Sequence, residues 1–263
     1  MDILTKIVAR KKKEVAAAQT RMSLEQLREQ AAQSRPARSF KDRLARTDGL
    51  NIIAEIKRAS PSKGPIRPDL DPEKQARAYA RGGAAALSVL TDQDFFSGSD
   101  ADLEAARQVV DLPVLRKDFT VSAYQIYEAA VLQADAVLLI VRILTPVQLE
   151  HYLAVCREVG LDALVETHSA AEIDTALAAG GEIIGINNRD LKTFATDLAV
   201  TIDLAGRLPS HCLPVAESGI QTPADIQRLY QAGINNFLIG ESLVRADDPA
   251  GHLRALLGKD LEP

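Results

Sequence analysis

The chain has no tryptophan, only two cysteines and four histidines, and aromatic residues make up just 4% of its 263 positions. Each shortage excludes something. Cys156 and Cys212 cannot supply a disulfide framework or a zinc quartet, so a reducing cytoplasm is the expected compartment. His151, His168, His211 and His252 show no metal-ligand spacing, so no metal site is expected. The longest apolar runs, such as 136–141, fall far short of the roughly 20 residues of a membrane helix. The N-terminus lacks the apolar core of a signal peptide, so no membrane partner is expected. A net charge of −5 argues against general nucleic-acid affinity, which needs a basic surface.

What is present is enough for a large core. Hydrophobic residues reach 46% and charged residues 25%, a globular balance, and the core must be built mainly from Ala, Val, Ile and Leu. The charge is uneven. Residues 1–50 hold 12 Lys and Arg against 6 Asp and Glu, a net of +6, which leaves −11 for the remainder of a chain whose net is −5. Residues 1–50 are therefore expected to form a helical extension packed on a body spanning 51–263, the two making one domain. Within the extension, 2–18 and 23–32 read as helices, with Ser23 and Gln26 forming a capping box, and a shorter helix follows around 40–45.

From residue 51 onward the sequence alternates two patterns. Short β-rich runs occur at 52–56, 86–90, 113–115, 136–141, 163–165, 183–186, 215–216 and 236–239. Between them lie amphipathic stretches at 71–81, 100–110, 123–132, 145–159, 169–179, 197–208 and 223–232. Thr145-Pro146 and Thr222-Pro223 are helix starts, with Thr as cap and Pro in the first turn. Eight strands at a mean spacing of about 26 residues match the period of the α/β (β/α)8 TIM barrel. A doubly wound sheet fits less well, because no Gly-x-Gly-x-x-Gly follows the first strand.

In such barrels, reactive groups sit at the C-terminal ends of strands. Those ends read Glu55-Ile56-Lys57, Arg116-Lys117-Asp118-Phe119, Val165-Glu166-Thr167-His168, Asn187-Asn188-Arg189 and Glu217-Ser218-Gly219. Glu55 and Lys57 share one strand face with Ile53. Glutamates and lysines set around one mouth can hold displaced pKa values, as a general acid and base require. His168 leads straight into the next helix at Ser169, so a peripheral or capping role is expected of it. Ser218-Gly219 after the seventh strand and Gly240-Glu241 after the eighth suggest a phosphate site. The polar loop 59–65 is either a lid over a bound anion or a connector stiffened by its prolines.

Taken together, these motifs resemble one family, the indole-3-glycerol phosphate synthases of tryptophan biosynthesis. The resemblance rests on Asp2-Ile3-Leu4-x-Lys6-Ile7, Ile53-Ala54-Glu55-Ile56-Lys57-Arg58-Ala59-Ser60-Pro61-Ser62-Lys63-Gly64 and Leu90-Thr91-Asp92 with Phe95-Phe96-x-Gly98-Ser99. Leu115-Arg116-Lys117-Asp118-Phe119, Leu164-Val165-Glu166-Thr167-His168, Gly185-Ile186-Asn187-Asn188-Arg189-Asp190-Leu191 and Ala216-Glu217-Ser218-Gly219-Ile220 follow in order at barrel spacing. The resemblance implies ring closure of 1-(2-carboxyphenylamino)-1-deoxyribulose 5-phosphate with loss of carbon dioxide and water, without cofactor or metal. It implies catalytic roles for Lys117, Glu166, Glu55 and Lys57. It implies substrate contacts from Ser60, Phe119, Asn187, Arg189, Glu217 and Ser218, and phosphate contacts from Lys57, Ser218, Gly219, Gly240 and Glu241. At 241 some relatives carry Ser, so here the backbone N–H is expected to face the phosphate while the carboxylate turns away. The implied partner is a phosphorylated small molecule, and a monomer is expected, with other tryptophan-pathway enzymes as the conceivable protein partners. Two rivals are weighed. A phosphoribosylanthranilate isomerase would need a Cys near the first strand, which is missing. A non-catalytic phosphometabolite-binding barrel would not need the glutamates.

Overall fold

The computed structural model describes residues 3–34, 38–190 and 193–259. The expected helix start at Asp2, the connector positions 35–37, and Leu191 of the sixth-strand motif lie outside these residues. Eight parallel strands close into a barrel: β1 (Asn51–Ile56), β2 (Ala86–Leu90), β3 (Val114–Lys117), β4 (Ala136–Ile140), β5 (Asp162–Thr167), β6 (Ile183–Asn187), β7 (Leu213–Glu217) and β8 (Asn236–Ile239). Each pairs with its sequence neighbours, and β8 closes on β1. Three helices precede the barrel: α1 (Ile3–Arg21), α2 (Leu24–Ala32) and α3 (Phe40–Leu44).

Several strands run longer than hydropathy alone suggests: β3 continues through Arg116 and Lys117, β5 through Glu166 and Thr167, and β7 through Glu217. Charged residues stay in these ladders because the backbone bonds come from the neighbouring strands, whatever the side chain. The expected caps form as read. Ser23 and Gln26 make a capping box at α2. Thr145 and Thr222 cap the helices Pro146–Glu158 and Pro223–Gln231, each with Pro in the first turn. The loop after β1 folds back as a two-residue antiparallel ladder, Ala59–Ser60 against Gly64–Pro65. Arg58 anchors its base through an ion pair to Asp102 and a hydrogen bond donated to the Leu70 carbonyl.

Two apolar layers result. The outer one lies between the sheet and the surrounding helices. The inner one fills the barrel with Ile53, Leu115, Leu138, Leu164, Ile183, Val215 and Leu238. Phe40 and Leu44 of α3, both fully buried, join this inner layer, and the backbone N–H of Lys41 donates to Asp162 at the start of β5. Thus α3 closes the N-terminal end of the barrel and leaves the other end open for a site. No helix among the described residues is long and apolar enough to cross a membrane.

Candidate active site

Strand side chains alternate with period two, so the inner layer dictates what stands above it. Ile53 is followed inward by Glu55 and Lys57, Leu115 by Lys117, Leu164 by Glu166, Ile183 by Gly185 and Asn187, Val215 by Glu217, and Leu238 by Gly240. All of these non-glycine polar residues, with Gly240, line one cavity of about 430 Å³ at the C-terminal end of the barrel. Lys117 Nζ lies 3.5 Å from Glu166 Oε2 and 3.5 Å from Glu217 Oε2. Lys57 Nζ lies 2.8 Å from Glu55 Oε1. Asn187 donates to Glu166 Oε1 at 3.2 Å.

These groups titrate as a set. Three carboxylates against two ammoniums would leave one negative charge in a buried cluster. Burial pushes the Glu217 carboxyl up, against the pull of Lys117 and with added repulsion from Glu166 and Glu55, so that it titrates at about 8. Burial would also raise Glu166, but Lys117, His168 and the Asn187 hydrogen bond hold it below the usual carboxylate range. Glu55 is likewise lowered, with Lys57 and Lys117 overcoming its burial. For Lys117, burial favours the neutral amine, yet Glu217, Glu166 and Glu55 together raise it. At neutral pH the Lys117 ammonium therefore stands between an ionised Glu166 and a protonated Glu217. An acid and a base thus line one cavity side by side, which is the condition for acid–base catalysis.

Glycine makes this density possible. A Cβ on Gly185 would stand 2.1 Å from Glu217 Oε1, and one on Gly240 would stand 2.4 Å from Glu55 Oε1 and 2.9 Å from Lys57 Nζ. At the far wall, Ser218 and Gly219 both adopt left-handed backbone, φ +64° and +81°. Gly240 and Glu241 adjoin them at the start of the short helix Glu241–Arg245. The Glu241 carboxylate is drawn to Arg245 at 3.2 Å and to Lys63 at 3.8 Å, so cations beside it offset its charge.

The remaining sequence-derived residues also line the cavity: Ser60 and Phe119, whose ring lies 6.0 Å from that of Phe96, and Arg189, which donates to the Phe194 carbonyl. Other lining residues lie outside the set of site residues expected from the sequence. Leu138 and Ile140 of β4 give an apolar wall, and Ile3, Leu4 and Ile7 of α1 form part of the rim. The signal for the latter is their spacing along one helix face, on a segment that precedes the barrel. His168 does not line the cavity, and its backbone N–H donates to Glu172 in the first turn of the next helix, in keeping with the peripheral or capping role expected of it. Its side chain is 5% exposed, between Glu166 and Glu172, while Ser169 caps that helix, Ala170–Ala178.

Comparison with known proteins agrees with this geometry. A family profile described as indole-3-glycerol phosphate synthase matches residues 4–256. The indole-3-glycerol phosphate synthase of Desulfosudis oleivorans is 52% identical over 259 residues, covering 97% of this chain and 98% of that protein. Those of Syntrophobacter fumaroxidans and Carboxydothermus hydrogenoformans are 52% and 48% identical, covering 98% and 97% of this chain and 98% and 99% of theirs. Among solved structures, a thiamine phosphate pyrophosphorylase from Pyrococcus furiosus superposes with a TM-score of 0.60 at 15% identity, over 81% of this chain and 98% of that one. That likeness shows the barrel fold alone. On the strength of the profile and of relatives sharing about half its residues along nearly its full length, the chain belongs to the indole-3-glycerol phosphate synthase family.

Proposed function

We propose that the chain closes the indole ring of 1-(2-carboxyphenylamino)-1-deoxyribulose 5-phosphate, releasing carbon dioxide and water to leave indole-3-glycerol phosphate. It is a carboxy-lyase of tryptophan biosynthesis. The observation that carries the residue assignments is Lys117, whose ammonium stands between two buried glutamates at the centre of the cavity. In the first step the aromatic carbon bearing the carboxylate attacks the ribulose carbonyl. Lys117 supplies the proton that the carbonyl oxygen gains. The ring then carries positive charge, which ionised Glu166 and Glu55 offset. Loss of carbon dioxide returns the bonding pair to the ring and restores aromaticity, so no separate electron sink is required. In the dehydration Glu166 takes the proton from the ribulose-derived CH2, and the hydroxyl leaves as water with a proton from the Lys57–Glu55 pair. Asn187 and Arg189 orient the carboxylate and hydroxyls. Ser60 and Glu217 flank the sugar, and Phe119 packs on the aromatic ring. The phosphate lies against Ser218, Gly219 and Gly240, the backbone N–H of Glu241, and Lys57.

The extension 1–50 packs on the barrel 51–263 as one domain in this reading, and the protein works as a cytoplasmic monomer. The test is direct. Synthetic substrate is mixed with the protein and indole fluorescence is followed, against a low background because the chain has no tryptophan. Lys117→Ala is expected to lower kcat by about 10²- to 10⁴-fold while the circular dichroism stays that of the wild type. A near-normal kcat would remove Lys117 from the acid role, and no indole signal from folded wild-type protein would overturn the activity itself.

A further inference from the structure

A second cavity opens at the opposite end of the barrel. It has a volume of about 660 Å³ and shares no lining residue with the first. Four arginines converge on it from two sides: Arg38 and Arg43 around α3, and Arg77 and Arg81 one turn apart on the helix Pro72–Gly82. Between them lies an apolar floor of Val109, Val110, Leu112 and Pro113, the segment that leads into β3.

These charges lack the counter-charges that arginines have elsewhere in the chain. Arg58 pairs with Asp102, Arg107 with Asp135, Arg116 with Asp100 and Glu128, and Arg142 with Glu172. At the second cavity, half-buried guanidiniums are held by neutral carbonyls instead. Arg38 Nη1 donates to the Val110 and Leu112 carbonyls, each at 2.8 Å, and Arg43 Nε donates to that of Ala85 at 3.2 Å. Arg77 and Arg81 are exposed and have no hydrogen-bond or ion-pair partner among the described residues. The one carboxylate among the described lining residues is Asp111, 3.6 Å from Arg38 Nη2. Its side chain stands fully in solvent, where an ion pair offsets little. Helix dipoles do not account for the set. They favour Arg43 and Arg81, in last turns, but not Arg77 in mid-helix or Arg38 before the N-terminus of α3. A chain of net charge −5 has carboxylates to spare, yet sets only Asp111 here.

Concave sites for small ligands run to roughly 300–1,000 Å³, and this one falls within that range. A guanidinium anchored at one nitrogen keeps its remaining N–H groups aimed, as a fork that matches a planar carboxylate or a phosphate. Two arginine walls across an apolar floor call for two acidic groups joined by an apolar body. We propose that this cavity is a second ligand site, for a small organic dianion of that kind.

The probe is naphthalene-2,6-dicarboxylate, titrated calorimetrically into the whole chain in phosphate-free, low-salt buffer. Saturable binding is expected, with Kd below about 1 mM. In Arg77→Gln/Arg81→Gln, where both positions are exposed, affinity is expected to fall about tenfold or more, while the melting temperature without probe stays that of the wild type. The barrel cavity is intact in that variant, so unchanged affinity would place the probe elsewhere and overturn the proposal. So would a lack of saturation by about 10 mM, or equal binding of naphthalene-2-carboxylate, which has one acidic group. Arg77→Lys/Arg81→Lys keeps the charge and removes the forks. Wild-type affinity in that variant would show attraction by the net field alone, and would also overturn the proposal. Binding of hexaglutamate without binding of the dicarboxylate would give the surface to an acidic protein segment and overturn the assignment to a small ligand.

Discussion

At the scale of single residues, the site is defined by a proton count. Glu217 holds a proton at neutral pH, and its pKa of about 8 contrasts with a value near 4.5 for a free glutamate. Between those limits the native chain binds more protons than the unfolded one, so this group's contribution to stability is complete below about 4.5 and is lost as pH rises toward 8. Glu217→Gln removes the titration while keeping the shape. The melting temperature of the wild type is therefore expected to fall more steeply from pH 5 to pH 8 than that of the variant. Equal slopes would place the shared proton on another member of the cluster. Gly185 offers a steric test of the same carboxyl. Its φ lies outside the left-handed region, so the reason for glycine is space alone. Gly185→Ala drives a methyl into Glu217, at a cost of about 1–3 kcal/mol in stability and about 100-fold in kcat, since a displaced carboxyl moves Lys117 with it. Melting curves and steady-state rates on one preparation separate the two effects.

At the scale of elements, α1 joins the site to the chain before the barrel. Its buried face is Ile7, Lys11 and Val15, one residue per turn. The central one is a lysine. Lys11 Nζ meets Asp118 at 2.9 Å, Asp92 at 3.1 Å and Glu14 at 2.8 Å. Asp118 follows Lys117 directly, and its other oxygen accepts from Thr91. Lys11→Met keeps the length of the side chain and leaves two buried carboxylates facing each other, a loss of about 3–5 kcal/mol. Because Ile3, Leu4 and Ile7 line the cavity rim, KM is expected to rise severalfold beyond any change in kcat. A lowered melting temperature with unchanged KM would make α1 a brace and nothing more. These elements also show what sequence can and cannot reveal. The inward stripe was legible because period two carries Glu55, Lys117, Glu166, Asn187 and Glu217 onto one face. Hydropathy alone ends β3, β5 and β7 early, because a charged side chain interrupts the apolar run while the backbone ladder continues. The helix Pro249–Leu256 lies beyond the amphipathic stretches visible in the sequence, although Asp248 caps it and Pro249 opens it. His168 stands two residues beyond Glu166 and so shares its face, while the Ser169 cap beside it marks the turn into the next helix. Lys11 was lost in the basic run 10–13, where spacing alone does not say which lysine turns inward.

At the scale of the whole molecule, net charge and local charge oppose each other. The chain carries −5, while its proposed substrate bears both a phosphate and a carboxylate. Capture must therefore depend on the field at the cavity, where Lys57, Lys63, Lys117, Arg189 and Arg245 converge. Several of the carboxylates among them are already offset: Glu241 by Arg245 and Lys63, and Asp118 by Lys11. A concave site with low-dielectric walls focuses such a field toward an approaching anion, and the acidity of the outer surface matters less the more completely salt screens it. The two contributions have different ranges. At about 10 mM salt the screening length is about 30 Å, so the acidic body and the cationic mouth both act on the substrate. At about 150 mM it is about 8 Å, and only the mouth is felt, at short range. If the mouth dominates, kcat/KM falls steadily, severalfold, between these salt concentrations, because attraction is lost as screening grows. If the acidic body dominates, kcat/KM rises over the same range as repulsion is screened. Lys63→Gln, at the rim and outside the proton-exchanging cluster, is expected to flatten the slope while leaving kcat near that of the wild type. Steady-state rates at a series of salt concentrations, for both proteins, decide the sign.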